Sequence, residues 1–356
     1  MASNRTNSDS SPHPSFKAKP TETNATPQKA RIASIEIFRI VAVIAVVIIH
    51  TRPFGFASAP DIKHTLATVI DLSCRFAVPF FFIVSGYFLG ENSRAGQPTM
   101  SVFWRSAKRL LSVYAAWCLF YLLVPVRYLY VPDSGNWPTM VLNNLRRLVE
   151  YYGLDLPLTG ARELLWFLPA LVMGLGIVAV CVTHGWRQYL LYGAAALYGI
   201  GLLGGSYSLL WTGNDAMDFV ISTRNGPFFS TLCVAIGWMI SNRQAQGKWQ
   251  VSTPQAVAMI VGGLLLQVFE AQGLSAAANV PFRSFDYVIG TVVMGAGVFY
   301  WRSLNRTGAN VGLFCIGVAT PWASILFIPS SLISSTLYHG VITVPFGKWA
   351  YQPSST

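Results

Sequence analysis

The stretch Arg39–His50, RIVAVIAVVIIH, sets ten apolar residues between a guanidinium and an imidazole, and Glu36 adds a carboxylate three residues before the arginine. A charge at the centre of a membrane helix costs about 2.5–3.5 kcal/mol on insertion scales, and such groups tend to face a bundle interior or a wet cavity. An imidazole can exchange a proton near neutral pH. A guanidinium holds a carbonyl oxygen or a phosphate through charge-assisted hydrogen bonds. A carboxylate at i−3 can pair with that guanidinium and orient it.

A helix fixes how these groups relate. Eleven steps of about 100° leave Arg39 and His50 about 20° apart around the axis and roughly 16 Å apart along it. The pattern therefore predicts a polar stripe on one face of the first apolar helix, which Pro53 helps to end. A structural Glu36–Arg39 pair with an interfacial His50 would use the same residues.

Other polar groups enter later apolar runs. In TVIDLSCRFAVPFFFIVSGYFLG, Asp71 and Arg75 are four apart and can pair; Pro79 predicts a kink, and Ser85-Gly86 permits close helix approach. ARELLWFLPALV places Trp166 and Phe167 at a membrane interface, with Pro169 in the first turns of a helix. TRNGPFF sets Arg224 and Asn225 before a helix whose N-terminal amides can receive an anion or a carbonyl. Taken singly, Asp71, Arg75, Pro79 and Ser85-Gly86 read as packing residues, and an ordinary interfacial cap accounts for Arg224 and Asn225 equally well.

The elements that must position these groups are membrane helices. The chain has 356 residues, of which 53% are hydrophobic and 11% charged, against about 25% charged in a soluble domain. The apolar runs have helix length, unlike barrel strands. Spans are expected at about 32–50, 66–89, 109–131, 164–183, 189–206, 225–241, 254–270, 285–301 and 309–328, with a less regular tenth at 329–346. The fold class is thus an all-α, polytopic integral membrane bundle of about nine or ten helices. Residues 1–31 read as a disordered cytoplasmic tail, because residues 1–30 are rich in Ser, Thr, Asn and Pro and carry no signal-peptide core. Residues 32–346 form the transmembrane domain and 347–356 a short tail.

With the N-terminus inside, the basic residues fall mostly on the cytoplasmic side, helped by a loop SVFWRSAKR holding Arg105, Lys108 and Arg109. That bias also accounts for the net charge of +11 without nucleic acid. The long connection 132–163 carries an amphipathic piece, WPTMVLNNLRRLVEYYGLDL, suited to an interfacial helix or to a lid over an extracytoplasmic substrate. Cys74, Cys118, Cys181, Cys233 and Cys315 all lie in apolar runs without a CxxC pair and read as packing residues. No metal is expected, since His13, His64, His184 and His339 do not fall at ligand spacing with His50.

Four ordered blocks over roughly 34–240 resemble the acyltransferase family 3 membrane enzymes, which include bacterial surface-polysaccharide O-acetyltransferases. RIVAVIAVVIIH fits the family's Arg-x10-His pattern, with Glu36 in its usual acidic place. VPFFFIVSGYFLG, residues 78–90, is similar to the Phe-rich Ser-Gly motif, and LWFLPALV, 165–172, to the Trp-Phe-Leu-Pro motif. TRNGPFF leading to Gly237 is similar to a further block, found especially in relatives of enterobacterial common antigen O-acetyltransferases. The end departs from the pattern: STLYH, 335–339, is only loosely similar to the family's closing Ser-Leu-x-x-Tyr-Leu-x-His block, and Pro321, Pro329 and Pro345 interrupt the run.

The resemblance implies transfer of an acyl group, most often acetyl, from cytoplasmic acyl-CoA to a hydroxyl of a cell-surface or lipid-linked glycan. Acetyl-CoA is then a co-substrate and no cofactor stays bound. His50, Arg39 and Glu36 are the expected catalytic set; Arg75, Ser85, Gly86, Trp166, Arg224 and Asn225 are expected to bind substrate. The implied place is the bacterial inner membrane, multi-pass, in contact with its lipids. The alternative is a transporter or exporter of a polysaccharide precursor or small solute, its polar groups lining a path; a membrane sensor or scaffold without turnover is a third reading.

Overall fold

The computed structural model describes residues 27–51, 62–124, 136–208, 222–247, 251–279 and 287–304, with single positions 210, 282 and 285 beside them; of 27–37, 62–65 and 302–304 it describes the backbone alone. Among these residues the fold is all-α, with no strand. Helices run α1 (Pro27–Thr51), α2 (Ile62–Cys74), α3 (Ala77–Arg94), α4 (Thr99–Leu123), α5 (Trp137–Tyr152), the short α6 (Leu156–Thr159), α7 (Phe167–Thr183), α8 (Leu190–Gly204), α9 (Pro227–Ala245), α10 (Thr253–Ala277) and α11 (Ile289–Leu304). The stretches Leu66–Arg94, Trp137–Thr183 and Thr253–Ala277 are long and apolar enough to cross a membrane; Phe38–Thr51, Leu190–Gly204 and Ile289–Trp301 are shorter apolar helices. The expected spans 32–50, 164–183, 189–206, 225–241, 254–270 and 285–301 each fall largely on one helix, and the described part of 109–131 falls on α4. The runs at 309–328 and 329–346, with Cys315 and His339, lie outside the described residues.

Two expectations are corrected. The run 66–89 is two helices, with a turn at Arg75-Phe76 between α2 and α3. Pro79 is the cause: it has no N–H for the Arg75 carbonyl, and its ring crowds that carbonyl. The segment SVFWRSAKR is the first part of α4 rather than a loop. It contains no Gly or Pro, and it buries Val102, Phe103 and Ala107 while Arg105, Lys108 and Arg109 stay exposed. Amphipathic patterning thus extends the helix ten residues ahead of the apolar run.

The core forms around α3, α7 and α9. Gly86 of α3 lies on the Val234 carbonyl of α9, and Gly237 of α9 on the Ile83 carbonyl of α3; a Cβ at either glycine would overlap backbone. Without water to squeeze out, helices in lipid gain from this kind of close approach. Gly174 of α7 packs on Ser230 of α9 in the same way. Above this seam Phe82 stacks on Phe167 at 4.6 Å and meets Phe229 edge-on at 5.7 Å, so all three helices share one aromatic layer. A second glycine seam joins α10 to α11, where Gly263 faces the Met294 backbone and Gly290 the Gln267 backbone.

Candidate active site

In α1 the buried residues are Ala42, Ala45 and Val46, while Ile40 and Ile44 are exposed. At about 100° per residue, Arg39 and His50 fall about 60° and 80° round from Ala42, on one flank of the buried stripe. Arg39 is half-buried and its guanidinium lies 5.0 Å over the ring of Phe88 in α3, a cation–π contact worth about 0.5–2 kcal/mol depending on desolvation. The charge is therefore turned onto α3. His50 is exposed in the last turn of α1. Glu36 lies on α1, one turn before Arg39, but its side chain is outside the described part of the helix.

The α2–α3 turn holds Arg75. Its Nε and Nη2 donate to Asp71 Oδ2 at 2.9 and 2.8 Å, and the arginine is buried. In the turn this guanidinium is aimed back along α2. Ser85 is half-buried and donates to the Phe81 carbonyl at 2.8 Å, and Gly86 forms the crossing with α9.

Trp166, Arg224 and Asn225 come together at the end of the bundle where α9 begins. The Arg224 guanidinium lies 5.1 Å over Trp166, whose ring runs nearly parallel to Phe229 at 6.2 Å. Asn225 is 1% exposed. Its Nδ2 donates to Asp155 Oδ2 at 2.8 Å and to Thr159 Oγ1 at 2.6 Å, and Thr159 in turn donates to Asp155 Oδ2 at 2.9 Å. Asp155 and Thr159 belong to the turn and short helix after α5. The connection between α4 and α7 is thereby pinned over the start of α9. Tyr114 of α4 ties it from another side, donating to the Pro157 carbonyl at 2.8 Å. Arg162 lies 5.4 Å over Tyr121, and Glu163, Arg162 and Arg224 all act electrostatically on Tyr152.

Two carboxylates were not legible as site residues. Asp155 lay in the connection without any motif spacing. Glu270 stands at the end of the apolar run 254–270, yet α10 continues to Ala277 and encloses it. Glu270 Oε1 accepts from the Ile289 amide at 3.0 Å and from the Tyr207 hydroxyl, and Oε2 from the Gly290 amide at 2.8 Å. It caps α11, whose first amides have no partner within their own helix. A lone acid in an apolar run was the available signal. Among the described residues no group of three or more His, Cys, Asp or Glu is placed to hold a metal.

The described fold is a membrane helical bundle with an arginine and a histidine on one flank of its first helix. The family model for the acyltransferase domain of acyltransferase family 3 matches residues 32–352. The chain belongs to that family. The match continues through the C-terminal stretch, beyond the motifs quoted above. Curated relatives include an amino-acid racemase of Enterococcus faecalis, 27% identical over 59% of this chain and 28% of its own length. A serine/alanine racemase of Enterococcus gallinarum is 27% identical over 73% of this chain and 36% of its own length. A second amino-acid racemase of Enterococcus faecalis is 30% identical over 59% of this chain and 29% of its own length. The chain thus spans about a third of the length of these relatives. No solved structure matches it.

Proposed function

We propose that this protein is an integral membrane O-acyltransferase that moves an acyl group, acetyl in the simplest case, from acyl-CoA to a hydroxyl of a cell-surface or lipid-linked glycan. The observation that carries the reading is the placement of Arg39 and His50 on one flank of α1, with the Arg39 guanidinium turned onto α3. The excess of basic residues on the N-terminal side supports an N-terminus in the cytoplasm of a bacterial inner membrane. Arg39 is then the deeper group on the donor side, and His50 lies toward the acceptor side.

In this mechanism acyl-CoA enters from the cytoplasm and Arg39 holds a phosphate of its CoA part by charge-assisted hydrogen bonds. Glu36 orients Arg39. Neutral His50 accepts the proton of the acceptor hydroxyl as the oxygen attacks the thioester carbonyl. The C–S bond breaks, the ester C–O bond forms, and His50 returns its proton to the CoA thiolate. An acyl-histidine intermediate is the covalent variant of the same step. Arg75, Ser85, Gly86, Trp166, Arg224 and Asn225 line or shape the acceptor path. The roughly 16 Å between Arg39 and His50 along the helix suits a donor that reaches in as an extended thioester arm.

Incubating the purified protein in lipid nanodiscs with radiolabelled acetyl-CoA and a surface-glycan extract tests this. The native protein is expected to transfer label to glycan, and His50→Ala to lose at least a hundredfold while keeping its elution profile and melting temperature. Transfer by His50→Ala at near-native rate would remove the histidine from the mechanism. Absence of transfer by the native protein, with solute flux across vesicles instead, would overturn the enzymatic reading.

A further inference from the structure

Asp155 and Asn225 share one polar cluster but are only half satisfied. All the described donors converge on Asp155 Oδ2: the Asn225 amide at 2.8 Å and the Thr159 hydroxyl at 2.9 Å. Asp155 Oδ1 and Asn225 Oδ1 are buried and accept no hydrogen bond among the described residues. The orientation of the Asn225 amide is fixed, because its NH2 faces two oxygens, Asp155 Oδ2 and Thr159 Oγ1. A buried acceptor without a donor has lost its water and gained nothing in return. Two of them, on residues that touch each other through the Asn225 amide and Asp155 Oδ2, call for a ligand that brings hydrogen-bond donors.

The surrounding charge narrows the class. Arg224 stands next to Asn225 in the chain and, with Arg162, acts on Tyr152, as does Glu163. A cationic ligand meets the guanidinium of Arg224, next in the chain to Asn225; an anionic one meets the Asp155 carboxylate. A neutral molecule carrying hydroxyl groups meets neither penalty and supplies the missing donors. We propose that Asp155 Oδ1 and Asn225 Oδ1 form a subsite for the hydroxyl groups of a neutral saccharide, with the α5–α6 connection as the element that brings the carboxylate to it. This rests on the acyl-transfer reading and identifies where the acceptor is held. Thr159 is a positioning residue, keeping Asp155 Oδ2 engaged so that Oδ1 stays free for the ligand.

The test uses the full chain in nanodiscs and saturation-transfer-difference NMR with methyl glucoside, methyl galactoside, methyl mannoside and methyl N-acetylglucosaminide. At least one glycoside is expected to bind, and to bind at least tenfold more weakly to Asp155→Asn, which keeps the shape and turns an acceptor into a donor. Asp155→Glu retains the charge but displaces the open oxygen, so it is expected to weaken binding too; it decides the matter if Asp155→Asn does not fold. In the transfer assay, Asp155→Asn is expected to raise the acceptor KM at least tenfold while the acetyl-CoA KM stays within twofold, a split that general loosening of the fold would not give. No binding by any of the four glycosides, or binding within twofold of native in the variants, overturns the subsite. So does stoichiometric calcium binding that Asp155→Asn abolishes, which would make the oxygens cation ligands. Glycoside binding that depends on Asp155, without any acetyl transfer, would overturn the acyltransferase reading and leave the subsite; transfer with an unaltered acceptor KM in Asp155→Asn would do the reverse.

Discussion

Glu270 and Asp155 are both carboxylates drawn into the bundle, and they are used in opposite ways. Glu270 engages both oxygens, taking the Tyr207 hydroxyl and the first two amides of α11. Asp155 engages one oxygen twice and leaves the other buried and open. The first joins α10 to α11 at the end of their glycine seam. The second pins a connection over α9 and keeps an acceptor in reserve. A saturated carboxylate holds structure; a half-saturated one holds structure and offers a place for a ligand.

That contrast can be broken at several points. Glu270→Leu strips acceptors from three donors, each costing about 1–3 kcal/mol if left buried and unsatisfied. It is expected to have the largest effect on stability, read as a large fall in melting temperature or loss of monodisperse protein; a melting temperature near native would make Glu270 dispensable and end the comparison. Asp71→Ala removes one partner of the buried Arg75, and breaking a buried pair costs about 3–5 kcal/mol at most where other contacts to the arginine remain. Because Asp71 is partly exposed, a loss near the lower end is expected in a thermal melt. Asp155→Asn is expected to cost stability far less than Glu270→Leu, about 1 kcal/mol for a weakened hydrogen-bond cluster, and to act on acceptor binding instead. A melting shift as large as that of Glu270→Leu would place Asp155 with the purely structural acids. Arg146→Ala serves as the baseline: its pair with Glu150 at 2.8 Å is well exposed, so its stability should stay within about 0.5 kcal/mol of native.

The α1 stripe stands apart from both carboxylates, and it was the most legible feature of the chain. Spacing alone set Arg39 and His50 on one line, because helical pitch is a local property. Local signals also gave most of the apolar spans and foretold a disturbance at Pro79. They misjudged SVFWRSAKR, whose basic residues read as a loop although an amphipathic turn accommodates them on its exposed face. They also gave Asp155 no role, since its partners Thr159 and Asn225 become neighbours only when α9 folds against the connection.

The sequence by itself determined that this is an all-α membrane protein, where most of its apolar helices run, and that an arginine and a histidine share one face of the first. Those properties follow from composition and from a repeat of 3.6 residues, both written along the chain. The tertiary structure decided which acids are saturated, which glycines mark helix crossings, and where Arg39 points. A hydrogen bond between residues 155 and 225, or a glycine at 86 meeting a carbonyl at 234, depends on distances across the bundle, and those are set only when helices far apart in the chain pack together.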